Sequence, residues 1–152
     1  MLLESGISIS MTENKLEEVL LIEDDPITNY INNRLIKKVN NNIQVNVAIN
    51  GKEGLSFIEL RRNQNDRKIP QLILLDINMP VMNGFEFLEE FQKFHLTHVV
   101  VVMLTTSNHL KDLDKLFRSG NLDLIPKPLT EEKFKNILNK YFEDRQGLGK
   151  IA

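Results

Sequence analysis

Four short aliphatic runs in this chain each stop at a polar residue of a kind that handles phosphate or metal. Val19-Leu-Leu-Ile22 stops at Glu23-Asp24-Asp25, Leu72-Ile-Leu-Leu75 at Asp76, Val99 to Leu104 at Thr105-Thr106, and Leu122 to Ile125 just before Lys127. Runs of a few Val, Ile and Leu bounded by polar residues suit strands buried on both faces, as in a parallel sheet covered by its crossover helices. If the runs are neighbouring parallel strands, all four polar sets gather at one edge of one sheet. Open parallel sheets bind their ligands beyond that carboxyl edge.

The segments between the runs repeat their apolar residues at helical spacing. From Pro26 to Val39, the positions Ile27, Tyr30, Ile31, Leu35 and Val39 make one helical stripe, opened by a proline where a first turn tolerates it. Gly51 to Arg62, with Leu55, Phe57 and Ile58, reads as a second helix, and Gly84 to Phe94, with Phe85, Phe87, Leu88 and Phe91, as a third. Asn108 caps a fourth, which shows Leu110, Leu113, Leu116 and Phe117 and stops at Gly120. The fifth starts at Thr130 and carries Phe134, Ile137, Leu138, Tyr141 and Phe142. With Ile43 to Ile49 as the second strand, strand and helix alternate five times, and right-handed crossovers put helices on both faces of the sheet. The predicted fold is one doubly wound α/β domain.

Composition agrees and removes several classes of function. At 152 residues and 41% hydrophobic content, the chain suits one domain with a real core. Nineteen basic against twenty-one acidic side chains give a formal charge of -2, so no field favours nucleic acid or an anionic membrane. The absence of cysteine removes disulfides, thiolate metal sites and thiol nucleophiles. No apolar run approaches the length of a membrane span and the start lacks the pattern of a secretory signal, so a cytoplasmic protein is expected. Residues 1–17 read as a flexible leader, 18–145 as the domain and 146–152 as a loose tail. Arg61 to Pro70 reads as a polar, mobile loop, and His95, His98 and His109 as surface or capping residues.

Among candidate sites the acidic cluster comes first. Two carboxylates directly after a buried strand, joined by a third from a neighbouring strand end, offer hard oxygen ligands of the kind Mg²⁺ takes alongside phosphate oxygen. Crowded acids repel unless a cation sits among them. By itself the triplet Glu23-Asp24-Asp25 would read as a helix cap; Asp76 shifts the balance towards a site. Thr105 could donate its hydroxyl to one phosphoryl oxygen and Lys127 could balance another, with backbone N–H groups completing the cradle. Taken singly, a threonine ending a strand is an ordinary β-former and a lysine before proline an ordinary solvated charge. The joint placement carries the argument.

The stretches Leu21-Ile-Glu-Asp-Asp-Pro26, Leu74-Leu-Asp-Ile-Asn-Met-Pro-Val-Met-Asn-Gly84, Val102-Met-Leu-Thr-Thr106 and Lys127-Pro-Leu-Thr130 resemble the CheY-like receiver domain of two-component response regulators over residues 18 to 144. The resemblance implies a flavodoxin-like (βα)5 three-layer sandwich with strand order 2-1-3-4-5. It implies that Asp76 is the phosphoacceptor, attacking a phosphohistidine of a sensor histidine kinase or histidine phosphotransfer protein. Asp24 would be a direct Mg²⁺ ligand, Glu23 would act mainly through water and Asn78 would give its backbone carbonyl, while Lys127 would contact the phosphoryl group and Thr105 would swing onto it. Asp25 receives no required role. Thr106, Leu124, Pro128 and Gly84 are the switch and turn positions: Gly84 gives backbone freedom or close approach after the Met79-Pro80 turn, and Lys127-Pro128 is the candidate for a cis bond. Pro126 fits a fifth strand at the sheet edge, where a missing N–H is tolerated.

The chain departs from the family pattern at Leu124, three residues before the lysine, where the family commonly has an aromatic whose rotamer follows the threonine; read-out must then differ or rely on backbone shifts around the fourth helix. Phe85, Phe87, Phe91 and Phe94 surround the third helix, so some belong to the core and one or more is free for a partner. The expected function is that of a single-domain response regulator, a phosphoprotein whose output is binding an unknown partner through the face made by the fourth helix, fifth strand and fifth helix (Asn108 to Phe142), with no nucleic acid, no membrane and no turnover of an external substrate. The alternatives are a phosphorelay intermediate passing phosphate to a second histidine protein, and a Mg²⁺-dependent phosphohydrolase, against which stand the missing Asp-x-Asp nucleophile and cap insertion. A flavin binder is disfavoured, because no glycine- or hydroxyl-rich phosphate loop follows the first strand.

Overall fold

The computed structural model describes residues 15–64, 68–106 and 121–142. In chain order the elements are β1 (Glu18–Ile22), α1 (Pro26–Val39), β2 (Gln44–Ala48), α2 (Gly51–Arg62), β3 (Leu72–Asp76), α3 (Gly84–Gln92), β4 (Val100–Thr105), β5 (Leu122–Pro126) and α4 (Glu131–Tyr141). The helix expected over Asn108–Gly120 and the tail at 146–152 lie outside the described residues, as does most of the leader. The five strands form one parallel sheet of order β2-β1-β3-β4-β5, the doubly wound arrangement expected from the sequence.

Burial follows position in the sheet. β1, β3 and β4 are buried along their whole lengths, whereas the edge strands β2 and β5 are only partly covered. Alternation divides the aliphatic residues between two cores. Val19, Leu21, Leu72, Leu74, Val100 and Val102 pack on one face with Ile36 of α1 and Phe134, Ile137 and Leu138 of α4. Leu20, Ile22, Ile73, Leu75, Val101 and Met103 pack on the other with Ile58 of α2 and Phe87, Leu88 and Phe91 of α3. Leu16, before β1, is buried in the first core, and the Gln71 side chain ties that approach down by accepting from the Glu17 and Glu18 N–H groups and donating to the Lys15 carbonyl.

Three details differ from the sequence reading. On α1 only Leu35 and Val39 of the apolar stripe pack against the core, while Ile27, Tyr30 and Ile31 are 68%, 60% and 53% exposed and the buried positions are Asn29, Asn32 and Ile36. The reason is the face presented: at helical spacing Asn29, Asn32 and Ile36 share one side of α1, which is turned to the sheet, and Ile27, Tyr30 and Ile31 come round to solvent. The Asn29 amide turns inward and donates to the Glu23 carbonyl at 2.8 Å. Arg61 is not part of a mobile loop but the last turn of α2; its guanidinium holds Glu18 through two bonds of 2.8 and 3.0 Å, donates to the Lys68 carbonyl, and lies over the Phe57 ring. The third helix ends at Gln92, and the chain turns at His95 with φ 56. Phe87 and Phe91 are buried and stacked with ring centroids 5.5 Å apart, Phe94 meets Phe91 edge-on, and Phe85 is half-buried.

Candidate functional site

Parallel register brings the polar strand ends to one edge. Ile22 pairs with Leu75, Asp76 with Leu104, and Thr105 with Pro126, so Glu23, Asp76, Thr105 and Lys127 each lie at or one residue beyond the end of a strand. The acidic triplet after β1 divides by function. Asp25 caps α1, its carboxylate accepting from the Thr28 hydroxyl and from the Thr28 and Ile27 N–H groups, which holds its pKa below the ordinary aspartate value. Glu23 turns inward and is buried, and Asp24 stays exposed. Carboxylate oxygens of Glu23, Asp24 and Asp76 lie within 4.8 Å of one another, a group that could hold a metal ion.

Lys127 closes the cluster. Its Nζ is 2.5 Å from Asp76 Oδ1 and 3.6 Å from Glu23 Oε1, and its backbone N–H donates to the Thr105 carbonyl at 2.7 Å. Burial disfavours the Lys127 ammonium, but the carboxylates of Asp76 and Glu23 outweigh it and hold its pKa above the ordinary lysine value. Glu23 moves the other way: burial, with the neighbouring acids Asp76 and Asp24, pushes it up to about 7 against the pull of the Asp25 N–H and of Lys127. Such a raised value is what an acidic cluster shows when its charges are not fully compensated.

The remaining candidates have definite places. Thr105 is buried at the end of β4 and its hydroxyl donates to the Thr106 carbonyl at 2.9 Å; Thr106 itself is exposed. Asn78 is exposed two residues beyond Asp76. Gly84 opens α3, and its role is close approach: it donates to the Ile77 carbonyl at 2.8 Å, and a Cβ there would stand 2.6 Å from the Asp76 carbonyl oxygen. The Asp-x-Asn-Met-Pro-x-x-x-Gly spacing thus folds its last residue back onto the backbone of its first. Pro126 sits on the edge strand, and the Lys127-Pro128 bond is cis. Leu124 packs towards the core shared with α2 and α3. His95 and His98 are exposed, and His109 lies outside the described residues. Asn29, which braces the Glu23 carbonyl, went unrecognised in the sequence because an amide serving a backbone group leaves no motif.

Comparison with known proteins bears on the same residues. Residues 19–139 match the family model described as the response regulator receiver domain. The chain is 34% identical over 133 residues to a probable C4-dicarboxylate response regulator, DctR, of Halalkalibacterium halodurans, which covers 88% of this chain and 54% of that protein. It is 32% identical over 130 residues to the nitrate/nitrite response regulator NarL of Escherichia coli, covering 86% and 56%. The chain therefore spans about half the length of these curated relatives. Among solved structures, a two-component response regulator from Cytophaga hutchinsonii superposes with a TM-score of 0.74 at 27% identity, covering 84% of this chain and 97% of that one, and one from Legionella pneumophila with 0.65 at 30%, covering 80% and 95%.

Proposed function

The chain belongs to the response regulator receiver domain family, and from that premise we propose that Asp76 accepts a phosphoryl group from a histidine kinase or histidine phosphotransfer protein. A carboxylate oxygen of Asp76 forms the new P–O bond as the P–N bond to the donor's imidazole breaks; the nitrogen keeps the electron pair and takes up a proton. The product is an acyl phosphate, labile enough for a reversible signal. The observation that carries this reading is the convergence of Glu23, Asp24, Asp76 and Lys127 from three strand ends, with the Lys127 ammonium 2.5 Å from Asp76.

The donor set is all hard oxygen, which suits Mg²⁺. Asp24 and Asp76 would bind it directly, Asn78 through its backbone carbonyl and Glu23 through water, and the ion would offset the charge of both the acids and the incoming phosphoryl group. Lys127 balances part of the phosphoryl charge. Thr105 has a hydroxyl committed to the Thr106 carbonyl; turning it to a phosphoryl oxygen frees that carbonyl and alters the chain leaving β4. This is how we read the switch: two added charges at Asp76 draw a mobile donor, and the change passes towards β5 and α4, on whose side an output protein binds.

Incubation with acetyl phosphate and Mg²⁺ tests the assignment. Mass spectrometry should find one added phosphoryl group on the wild type and none on Asp76→Asn, and chelation of divalent cations should suppress the reaction. Equal labelling of both proteins would overturn it.

A further inference from the structure

Lys127 lies between two prolines, and the carbonyls that flank it are held by one side chain. Lys133, in the first turn of α4, donates its ammonium to the Pro126 carbonyl and to the Pro128 carbonyl, both at 2.8 Å. Pro126 ends β5, the edge strand, so a carbonyl directed away from β4 has no further strand to receive it. On the inner side the Lys127 N–H is already bonded to Thr105. The residue that contacts Asp76 is therefore fixed on one side by the sheet and on the other by a lysine of the next helix. Lys133 is itself well placed for this: its backbone N–H is held by the Thr130 cap at 3.2 Å, and its neighbour Glu131 is engaged by Lys38 and Lys135.

We propose that Lys133 is a positioning residue for phosphoryl transfer, clasping the carbonyls on either side of Lys127 so that the Lys127 ammonium stays on Asp76. This rests on the reading of Asp76 as phosphoacceptor. Bonds from an ammonium to carbonyls are charge-assisted, and misplacing a reacting group by a fraction of its reach lowers rate more than affinity. The same clasp joins the site to the first turn of α4, so a displacement of Lys127 on phosphorylation pulls directly on that helix.

The test compares wild type, Lys133→Met, Lys133→Arg, Lys127→Ala and the Lys127→Ala/Lys133→Met pair in phosphorylation by acetyl phosphate with Mg²⁺, following rate against donor concentration. Lys133→Met keeps length and helix propensity while removing the donor; it should lower the limiting rate roughly three- to tenfold. The half-saturating donor concentration and the calorimetric Mg²⁺ affinity should stay within about twofold of wild type. Lys133→Arg, which still spans two carbonyls, should recover more than half the loss. In the Lys127→Ala background, Lys133→Met should cost less than about twofold more, because the group it positions is gone. Lys133→Leu, which also lacks a donor and favours helix, gives the same comparison if Met at this position disturbs folding. An unchanged limiting rate, or an undiminished loss in the Lys127→Ala background, overturns the proposal. Labelling of Asp76→Asn would bring down the underlying reading as well, whereas a silent Asp76→Asn beside an unaffected Lys133→Met brings down this inference alone.

Discussion

Burial and the acids Asp76 and Asp24 push the Glu23 carboxyl up to about 7 from an ordinary 4.5, so the folded protein keeps a proton there that the unfolded chain releases. The linkage has a definite sign: the contribution to stability is fully present below 4.5 and is lost as pH rises through about 7. A divalent cation held beside Glu23 favours its ionised form and reverses the trend, since binding then releases that proton. Urea unfolding in chelator should therefore give wild type a greater loss of stability than Glu23→Gln between about pH 5 and about pH 8. Calorimetric Mg²⁺ affinity should rise over the same interval. A wild-type profile parallel to that of Glu23→Gln would mean that the carboxyl ionises normally.

The strands and the convergence of their ends were legible because aliphatic runs followed by polar residues carry a signal at the level of residue type. Gly84 was legible for the same reason, as one residue type at a fixed distance from Asp76. α1 was not. Ile27, Tyr30, Ile31 and Leu35 have helical spacing, but spacing alone does not say which face a helix turns to its sheet, and the Asn29 amide found the Glu23 carbonyl instead of solvent. Lys133 was overlooked on similar grounds, because it recognises main-chain carbonyls, which every residue has. The rotated α1 makes a testable contrast. Ile36→Ala, inside the core, should cost about 2–5 kcal/mol, whereas Ile31→Ser, on the same helix but exposed, should change stability by no more than about 0.5 kcal/mol. Comparable losses in urea unfolding would place Ile31 in the core and contradict the observed face.

Across the molecule, the two ends of the sheet carry opposite electrostatic designs. At the amino end, Glu18 is nearly buried but fully answered by the Arg61 fork and the Asn46 amide. About 16 Å away along β1, the carboxyl end gathers three acids around one lysine. In the first arrangement each charge is answered; the second is costly until a cation engages it, as expected where function competes with stability. Mutations at the two ends should then act in opposite directions. Glu18→Leu strands the Arg61 charge and should lower stability by about 3 kcal/mol, while the rate of acetyl phosphate labelling at Asp76 stays that of wild type wherever the variant is folded. Asp24→Asn relieves repulsion and should raise stability in chelator while weakening Mg²⁺ binding and slowing labelling. Urea unfolding paired with labelling rates checks both. A stabilised Glu18→Leu would show that Arg61 does not depend on Glu18, and an Asp24→Asn that loses stability in chelator would show that the acidic edge carries no repulsion to relieve.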